Sequence, residues 1–441
     1  MPADFRPMEY ALTSPSRRIL FLGAVLLVAL VLVGAGGRVY LAARAAASES
    51  PEALARALRL EPGNAAYWHR AGLFYQFDFT RADIETAIAH LRRAAELNPH
   101  EANYWLDLAA AHEAAGRIEP AREAFLRARQ AYPISAEVGW KYGNFLLRQG
   151  ELEAALAEIR RAVDTDPRLA RLAVALCWRA TGDAERVLGE ALPQRREAYL
   201  AALSFLLSER QAEAALAAWT RLVVLGPPVP LREVLPLVDV LMRGGGVDRA
   251  RQVWLEALRM AGEDPEGKAA TTLVWNGGFE RDLVNGGFGW RTQPVSGAEV
   301  ELDSQVYRSA PRALRIRFDG RTNVAFQHVF QYVAVEPGRR YRFEGYLRTE
   351  GVSTDSGIRF WIADAEDPRR LDLVTPTTGV VGTQPWSLEE AEFTAGPQTR
   401  LVRIALRRDP SRKLDNKLRG TVWVDDVSLT AVEGASPEAR R

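Results

Sequence analysis

The chain has 441 residues, enough for two or three domains that each bury a core of their own. Its 57 Lys and Arg nearly balance 56 Asp and Glu, and the formal charge of +1 excludes broad electrostatic attraction to nucleic acid or to an anionic lipid surface. The single cysteine, Cys177, excludes an intrachain disulfide and a thiolate-rich zinc site.

Ile19 to Val33 is an uninterrupted apolar run that continues through small residues to Gly37, before Arg38. As a helix, residues 19–37 span roughly 28 Å, close to the ~30 Å hydrocarbon core of a bilayer. Arg17 and Arg18 precede the run, as a cytoplasmic segment at 1–18 requires, although Arg38 and Arg44 blunt the asymmetry. A single-pass transmembrane anchor in the cytoplasmic membrane is expected. Cleavage of a signal peptide at Ala45-Ala46-Ala47 is the rival reading, but the run outlasts an ordinary h-region and the alanines lie far beyond it. Either route places the bulk of the chain on the extracytoplasmic, periplasmic side.

From 51 to 262 strand signals are nearly absent, and Ala, Leu, Glu and Arg dominate. Pro62, Pro99, Pro133 and Pro167 recur at spacings of 37, 34 and 34, each closing a similar phrase. The unit from Ala102 to Ser135 places Trp105, Leu108 and Ala109 on a first helix and Ala121, Phe125 and Ala128 on a second. Its neighbours keep Trp68, Gly72, Tyr75 and Ala94, then Gly143, Ala155, Ile159 and Ala162. This pattern resembles the tetratricopeptide repeat, with His112 in place of a usual aromatic. The resemblance implies an α-solenoid whose first helices line a groove for a protein partner. Residues 168–193 fit only a shortened hairpin, and Ala215/Ala250 and Trp219/Trp254 suggest two more units, giving five or six hairpins in all. Trp68, Trp105, Trp219 and Trp254 read as packing residues.

A polar linker at 263–271 ends the helical pattern, and two-residue alternation begins. Leu314, Ile316 and Phe318 alternate with Arg315 and Arg317. Tyr341, Phe343, Gly345 and Leu347 form a second set, Ile358, Phe360 and Ile362 a third, and Val402, Ile404 and Leu406 a fourth. Such runs between Gly, Pro and Asp turns predict a β-sandwich of jelly-roll type over 272–432, followed by a disordered tail at 433–441. The predicted class is thus a multidomain α + β chain.

The sandwich opens on Trp275-Asn-Gly-Gly-Phe-Glu280 and Gly289-Trp290, and closes on Val424-Asp-Asp-Val-Ser-Leu429. These bookends resemble carbohydrate-binding modules of the family 4/9/22 type, which have a galactose-binding-like jelly-roll fold. The resemblance implies a structural Ca²⁺ shared by oxygens of the first and last strands, here Glu280 and Asp425 with Asn276 and Asp426 beside them. Asp425 and Asp426 could instead solvate an edge or cap turns.

A sugar presents apolar C–H faces ringed by hydroxyls, so its site needs an aromatic platform with planar polar neighbours. Alternation puts Trp361 with Arg359 and Tyr346 with Glu344 away from the core, and Gln327 and Gln331 opposite Phe326, His328 and Phe330. Trp361, Tyr346, Arg359, Gln327 and Glu344 form the expected carbohydrate-binding cleft, though a covering loop could equally explain Trp361 and Tyr346. Trp290, Trp386 and Trp423 are expected in the core or at its edge. The five histidines are scattered, and neither a nucleophile elbow nor a phosphate loop occurs. Glu389, Glu390 and Glu392 form a run on one strand or turn, whereas glycoside hydrolysis requires two carboxylates facing across a cleft. The chain reads as a non-enzymatic scaffold holding a protein in its solenoid and a polysaccharide or glycoconjugate on its sandwich. Exopolysaccharide or envelope-glycan assembly would suit that pairing. The alternative is a protein scaffold whose sandwich is purely structural.

Overall fold

The computed structural model describes residues 14–48, 50–78, 81–263 and 272–432. The expected cytoplasmic segment up to residue 13, the linker from 264 and the tail at 433–441 lie outside them. The chain divides into two compact units, Met1–Pro193 and Gln194–Arg441. Composition places the change of character at 263, whereas the last two helical hairpins group with the sandwich.

In the first unit, α1 (Pro15–Ala46) is longer than the expected 19–37 span. Pro15 supplies a helical φ at the first position, and the Ser14 hydroxyl accepts from the Arg17 N–H at 3.3 Å. The large apolar side chains from Ile19 to Val33 are 49–78% exposed. This is the one helix among the described residues long and apolar enough to cross a membrane. Its last turns bury Ala42 and Ala46 and pack on α2 (Pro51–Leu60), whose Leu54 and Ala57 are buried.

Three regular hairpins follow: α3 (Ala65–Phe77) with α4 (Ile84–Leu97), α5 (Ala102–Ala114) with α6 (Ile118–Ala131), and α7 (Ala136–Arg148) with α8 (Leu152–Thr165). The helices of a pair approach closely because their crossings carry glycine. A Cβ on Gly72 would lie 2.5 Å from Leu91 Cγ, and one on Gly143 2.8 Å from Ile159 Cγ1. Trp68 and Trp105 each donate from Nε1 to a carbonyl six residues earlier, Pro62 O and Pro99 O, both at 2.9 Å. These indoles pin each first helix to its preceding turn, so their role is structural. The fourth hairpin is curtailed as expected: Gly182 ends α9 (Ala170–Thr181) at φ 62°, and α10 (Ala184–Arg186) runs into one wide turn at Val187–Ala191.

Successive hairpins are also stitched by ion pairs near the repeat spacing. Arg81 meets Glu52, Arg117 meets Glu85, Arg122 meets Glu151, Arg129 meets Glu158 and Arg186 meets Glu153. Glu158 is buried between Arg129 at 2.7 Å and Arg161 at 2.8 Å. His112 is buried with no partner for Nδ1, and burial lowers its pKa, so it stands in neutrally for an aromatic. Cys177 is buried too, its thiol pushed up to about 12.

The second unit begins with α11 (Arg196–Ser208) paired to α12 (Ala212–Leu225) and α13 (Leu231–Arg243) paired to α14 (Val247–Met260). Among the described residues ten strands follow: β1 (Arg291–Thr292), β2 (Ala298–Asp303), β3 (Ala313–Asp319), β4 (Phe326–Ala334), β5 (Arg340–Val352), β6 (Ile358–Asp364), β7 (Asp372–Val380), β8 (Gly382–Thr394), β9 (Leu401–Arg408) and β10 (Arg419–Ala431). They form two antiparallel sheets, ordered β1-β4-β9-β6-β7 and β2-β3-β10-β5-β8. All four alternating sets face inward as expected, with Phe343 against Phe360 at 4.9 Å. Burying each such ring contributes about 1.5–3 kcal/mol. Trp290 is fully buried, Trp423 is buried on the outward side of β10, and Trp386 is half-buried.

The last hairpin is joined to the sandwich's opening segment. Trp254 meets Trp275 edge-on at 5.5 Å, and a Cβ on Gly287, at φ 55°, would lie 2.7 Å from the Trp254 ring. Asp239 of α13 accepts from Gly287 N–H at 2.8 Å and pairs with Arg291 at 2.5 Å.

Candidate functional site

The outward surface of the β1-β4-β9-β6-β7 sheet has a regular cross-strand plan. Phe330, Ala405, Trp361 and Val374 are register partners across β4, β9, β6 and β7. Three interstrand steps make this apolar row about 14 Å long. The small Ala405 opposite Trp361 leaves room for the indole, which donates from Nε1 to Asp372 Oδ1 at 2.6 Å. Arginines flank the row on both sides. Arg403 lies 5.6 Å from the Trp361 ring and 4.1 Å from that of Phe330, and Arg407 lies 5.1 Å from Trp361. Arg359 pairs with Arg407 in register, and the two share Asp409, at 3.1 and 3.0 Å.

Trp361 and Arg359 therefore sit together as expected, and Gln327 joins them on this sheet through its carbonyl, which accepts from Arg403 at 2.9 Å. The alternation expected for β4 does not hold. A register shift between Phe326 and Val329 adds a residue, turning Phe330 outward beneath Arg403 and Gln331 inward. Gln331 is fully buried and donates to Trp275 O and Phe288 O, both at 2.8 Å.

Tyr346 and Glu344 lie on β5 in the opposite sheet, so the five expected residues do not line one cleft. The Arg308 guanidinium stacks 3.6 Å from the Tyr346 ring centre and covers one of its faces. Tyr346 and Glu344 instead line a cleft of about 850 Å³ between α14 and the sandwich, together with Asn276, Glu280 and Asp426. Three of the four expected calcium ligands are thus neighbours of two expected sugar contacts. Asp425 is fully buried. Its Oδ2 accepts from Arg308 N–H at 2.8 Å and Ser309 N–H at 2.9 Å, and its Oδ1 from Asp426 N–H at 2.8 Å.

These donor sets fit a calcium ion unevenly. The direct partners of Asp425 are neutral N–H groups, and Glu280 has no ionic partner among the described residues. Glu280 is therefore open to a hard cation, whereas Asp425 keeps at most one acceptor site, on Oδ1, beyond those three bonds. Asp426 already faces the Arg308 guanidinium and the Ser309 hydroxyl, and Asn276 spends both its polar side-chain atoms on the Arg281 backbone. Among the described residues no group of three or more His, Cys, Asp or Glu is poised for a metal.

Residues 79–136 and 114–170 match the family model for the tetratricopeptide repeat. The helical hairpins are tetratricopeptide-like. No curated protein matches the chain. Among solved structures, the chain is similar to the CBM22-1–GH10 modules of Clostridium thermocellum xylanase 10B, complexed with xylohexaose. Identity is 15% over 38% of this chain and 30% of that one, with a TM-score of 0.27. The CBM22-1 xylan-binding domain of Paenibacillus barcinonensis Xyn10C aligns at 14% identity over 36% of this chain and 93% of that domain, with a TM-score of 0.25. On the helical side, pilF of Pseudomonas aeruginosa aligns at 20% identity over 46% of this chain and 94% of that one, with a TM-score of 0.24. The chain spans under a third of the xylanase.

Two features are absent from the expectations drawn from the sequence. The arginine rails beside Trp361 depend on which strands are neighbours, and that order is not written in any one strand. The ion-pair stitching of the hairpins was findable, because Arg and Glu recur near the repeat spacing.

Proposed function

We propose that the chain is a membrane-anchored extracytoplasmic scaffold. Its helical hairpins hold a protein partner, and its sandwich binds a polysaccharide or glycoconjugate on the outward face of the β1-β4-β9-β6-β7 sheet. The observation that carries the glycan half is Trp361, a half-buried indole set over Ala405 and framed by guanidinium and carboxylate groups. That surface offers a sugar ring both an apolar plane and planar hydrogen-bonding partners. Tyr346 makes a poorer platform because Arg308 occupies one of its faces. In the helical array, α3 adjoins α5 and α5 adjoins α7, so the first helices form a continuous surface for a partner segment. The α1 helix supports the anchor, and a place beside exopolysaccharide or envelope-glycan assembly suits the pairing. The role is non-covalent binding, so no reducing ends are released from bound polymer.

A panel of glycans presented to the full chain in detergent tests this reading. Trp361→Ala is expected to weaken binding at least tenfold, about 1.4 kcal/mol, and Tyr346→Ala to leave it within threefold. Undiminished binding by the Trp361 variant moves the site elsewhere. Absence of binding to any glycan favours the second reading, a structural sandwich serving a protein scaffold. The docking of Trp254 on the sandwich's opening segment is the observation on that side.

We also propose that Asp425 and Glu280 hold a structural calcium ion. Removing calcium with a chelator is expected to lower the unfolding midpoint of the wild type but not of Asp425→Asn, measured by thermal melts. Equal shifts in both proteins exclude Asp425 as a ligand.

A further inference from the structure

The sandwich's two outward faces differ in charge bookkeeping. On the β2-β3-β10-β5-β8 face, arginines meet carboxylates across adjacent strands. Arg315 faces Glu301 and Asp303, Arg317 faces Glu299, and Arg340 and Arg342 share Glu392. That face is largely neutralised from within. Around Trp361 the balance is different. Arg359 and Arg407 divide a single carboxylate, Asp409, which is itself partly exposed. Arg403 has no carboxylate partner among the described residues. Its guanidinium rests between Phe330 and Trp361, donates to the Gln327 carbonyl, and leaves its buried Nε without a partner.

A guanidinium half-buried against two rings has lost water without gaining a counter-charge. Burial accordingly lowers the Arg403 pKa, and Tyr332 pulls it the other way. An anion arriving at this surface would recover that lost solvation, and an Arg–carboxylate bond made in a partly desolvated place is stronger than one at an open surface. Neutral sugars would gain only the indole and the hydrogen bonds.

We infer that the Trp361 face selects an acidic polysaccharide, one whose sugar ring stacks on Trp361 while its carboxylate meets Arg403 and Arg407. The inference rests on the glycan-binding reading and adds the class of polymer. Trp361 supplies the plane, and Arg403 and Arg407 supply the charge on either side of it. Asp409 restrains Arg407 and Arg359, so Arg403 carries the larger share of the selectivity.

The experiment uses the full chain in detergent and matched polymer pairs: polygalacturonate, alginate and hyaluronan, each beside its carboxyl-reduced counterpart. Affinity is read by isothermal titration at two salt concentrations. At least one acidic polymer is expected to bind ten times or more tighter than its reduced form, with binding that weakens as salt rises. Arg403→Gln is expected to shrink that ratio at least fivefold while binding to the reduced polymer changes less than twofold. Arg407→Gln, on a side chain already paired with Asp409, is expected to give a smaller loss in the same direction and guards against misfolding of the Arg403 variant. Equal or tighter binding of the reduced polymers overturns the charge assignment and leaves glycan binding standing. Failure of every polymer, acidic and reduced, overturns both. An acidic preference untouched by either arginine variant places the charge recognition elsewhere and rejects this site.

Discussion

Gly277→Ala is expected to destabilise the second unit by about 3 kcal/mol, roughly a 10 °C fall in its unfolding midpoint, whereas Gly278→Ala costs under about 1 kcal/mol. A methyl group on Gly277 would lie 1.9 Å from the Val427 carbonyl oxygen and 2.9 Å from its carbon. Those are backbone atoms of β10, held in place because the Val427 N–H donates to Gly277 O at 2.9 Å. Val427 sits where the β10–β5 register shifts between Asp425 and Ser428, so the opening segment enters the strand's irregularity and only a residue without Cβ can approach. A methyl on Gly278 meets the Glu280 carboxylate at 2.4 Å instead, and a flexible side chain can rotate away. Circular-dichroism melts of the two variants decide the matter. Equal, small shifts would show that the two ends of the sandwich are not fastened at Gly277.

The same contact explains why the two ends of the domain were recognisable. Asn276-Gly-Gly-Phe-Glu280 and Asp425-Asp-Val-Ser-Leu429 are neighbours in space and constrain each other's backbone, as Phe279 and Asp426, both at positive φ, also show. Helical pairing was legible for a related reason: Gly72 and Gly143 stand where one helix crosses its partner, and that need recurs with every repeat. The inward sets of β3, β5, β6 and β9 followed from alternation alone. Alternation failed at β4, because one extra residue near Phe326 reverses every later side chain in the strand, and no residue type announces it. It was also silent about which sheet a strand joins. Trp361 and Tyr346 both point outward, but strand order sends them to opposite faces of the sandwich. Arg408 escaped for the converse reason. It occupies an inward position, and four acceptors make its burial tolerable: Val324 O at 2.6 Å, Asn323 Oδ1 at 2.8 Å, Ser356 O at 3.0 Å and Thr354 Oγ1 at 3.2 Å. Those acceptors come from distant loops.

Asp425→Asn is expected to destabilise the second unit by about 1–3 kcal/mol near neutral pH and, more tellingly, to remove the stabilisation that this carboxyl gains in mild acid. Asp425 accepts three backbone N–H bonds, so an amide there turns an NH₂ group toward donors and strands at least one of them. In the wild type, burial pushes the carboxyl from 3.8 up to about 6, against the lowering effect of those three bonds. The folded chain therefore holds this proton more tightly than the unfolded chain does. Its contribution to stability is complete below about pH 4 and is lost as pH rises through about 6, a swing of about 2–3 kcal/mol. Asn cannot titrate, so the stability difference between wild type and variant should widen from pH 7 to pH 4 when measured by urea unfolding in the presence of a chelator. Asp303 and Asp364 behave oppositely. Burial raises them, but the Trp423 indole N–H on Asp303, the Thr399 hydroxyl on Asp364 and backbone N–H groups outweigh it, so their stabilisation is lost only below about pH 4 and cancels between the two proteins. Calcium sharpens the test, because an ion on Asp425 favours the charged form, stabilises the wild type at pH 7 in proportion to its concentration over Kd, and flattens the widening. A difference that is flat with pH in chelator would mean that Asp425 is better solvated than its zero exposure indicates, and the clasp on Arg308 and Ser309 would then lose its electrostatic account.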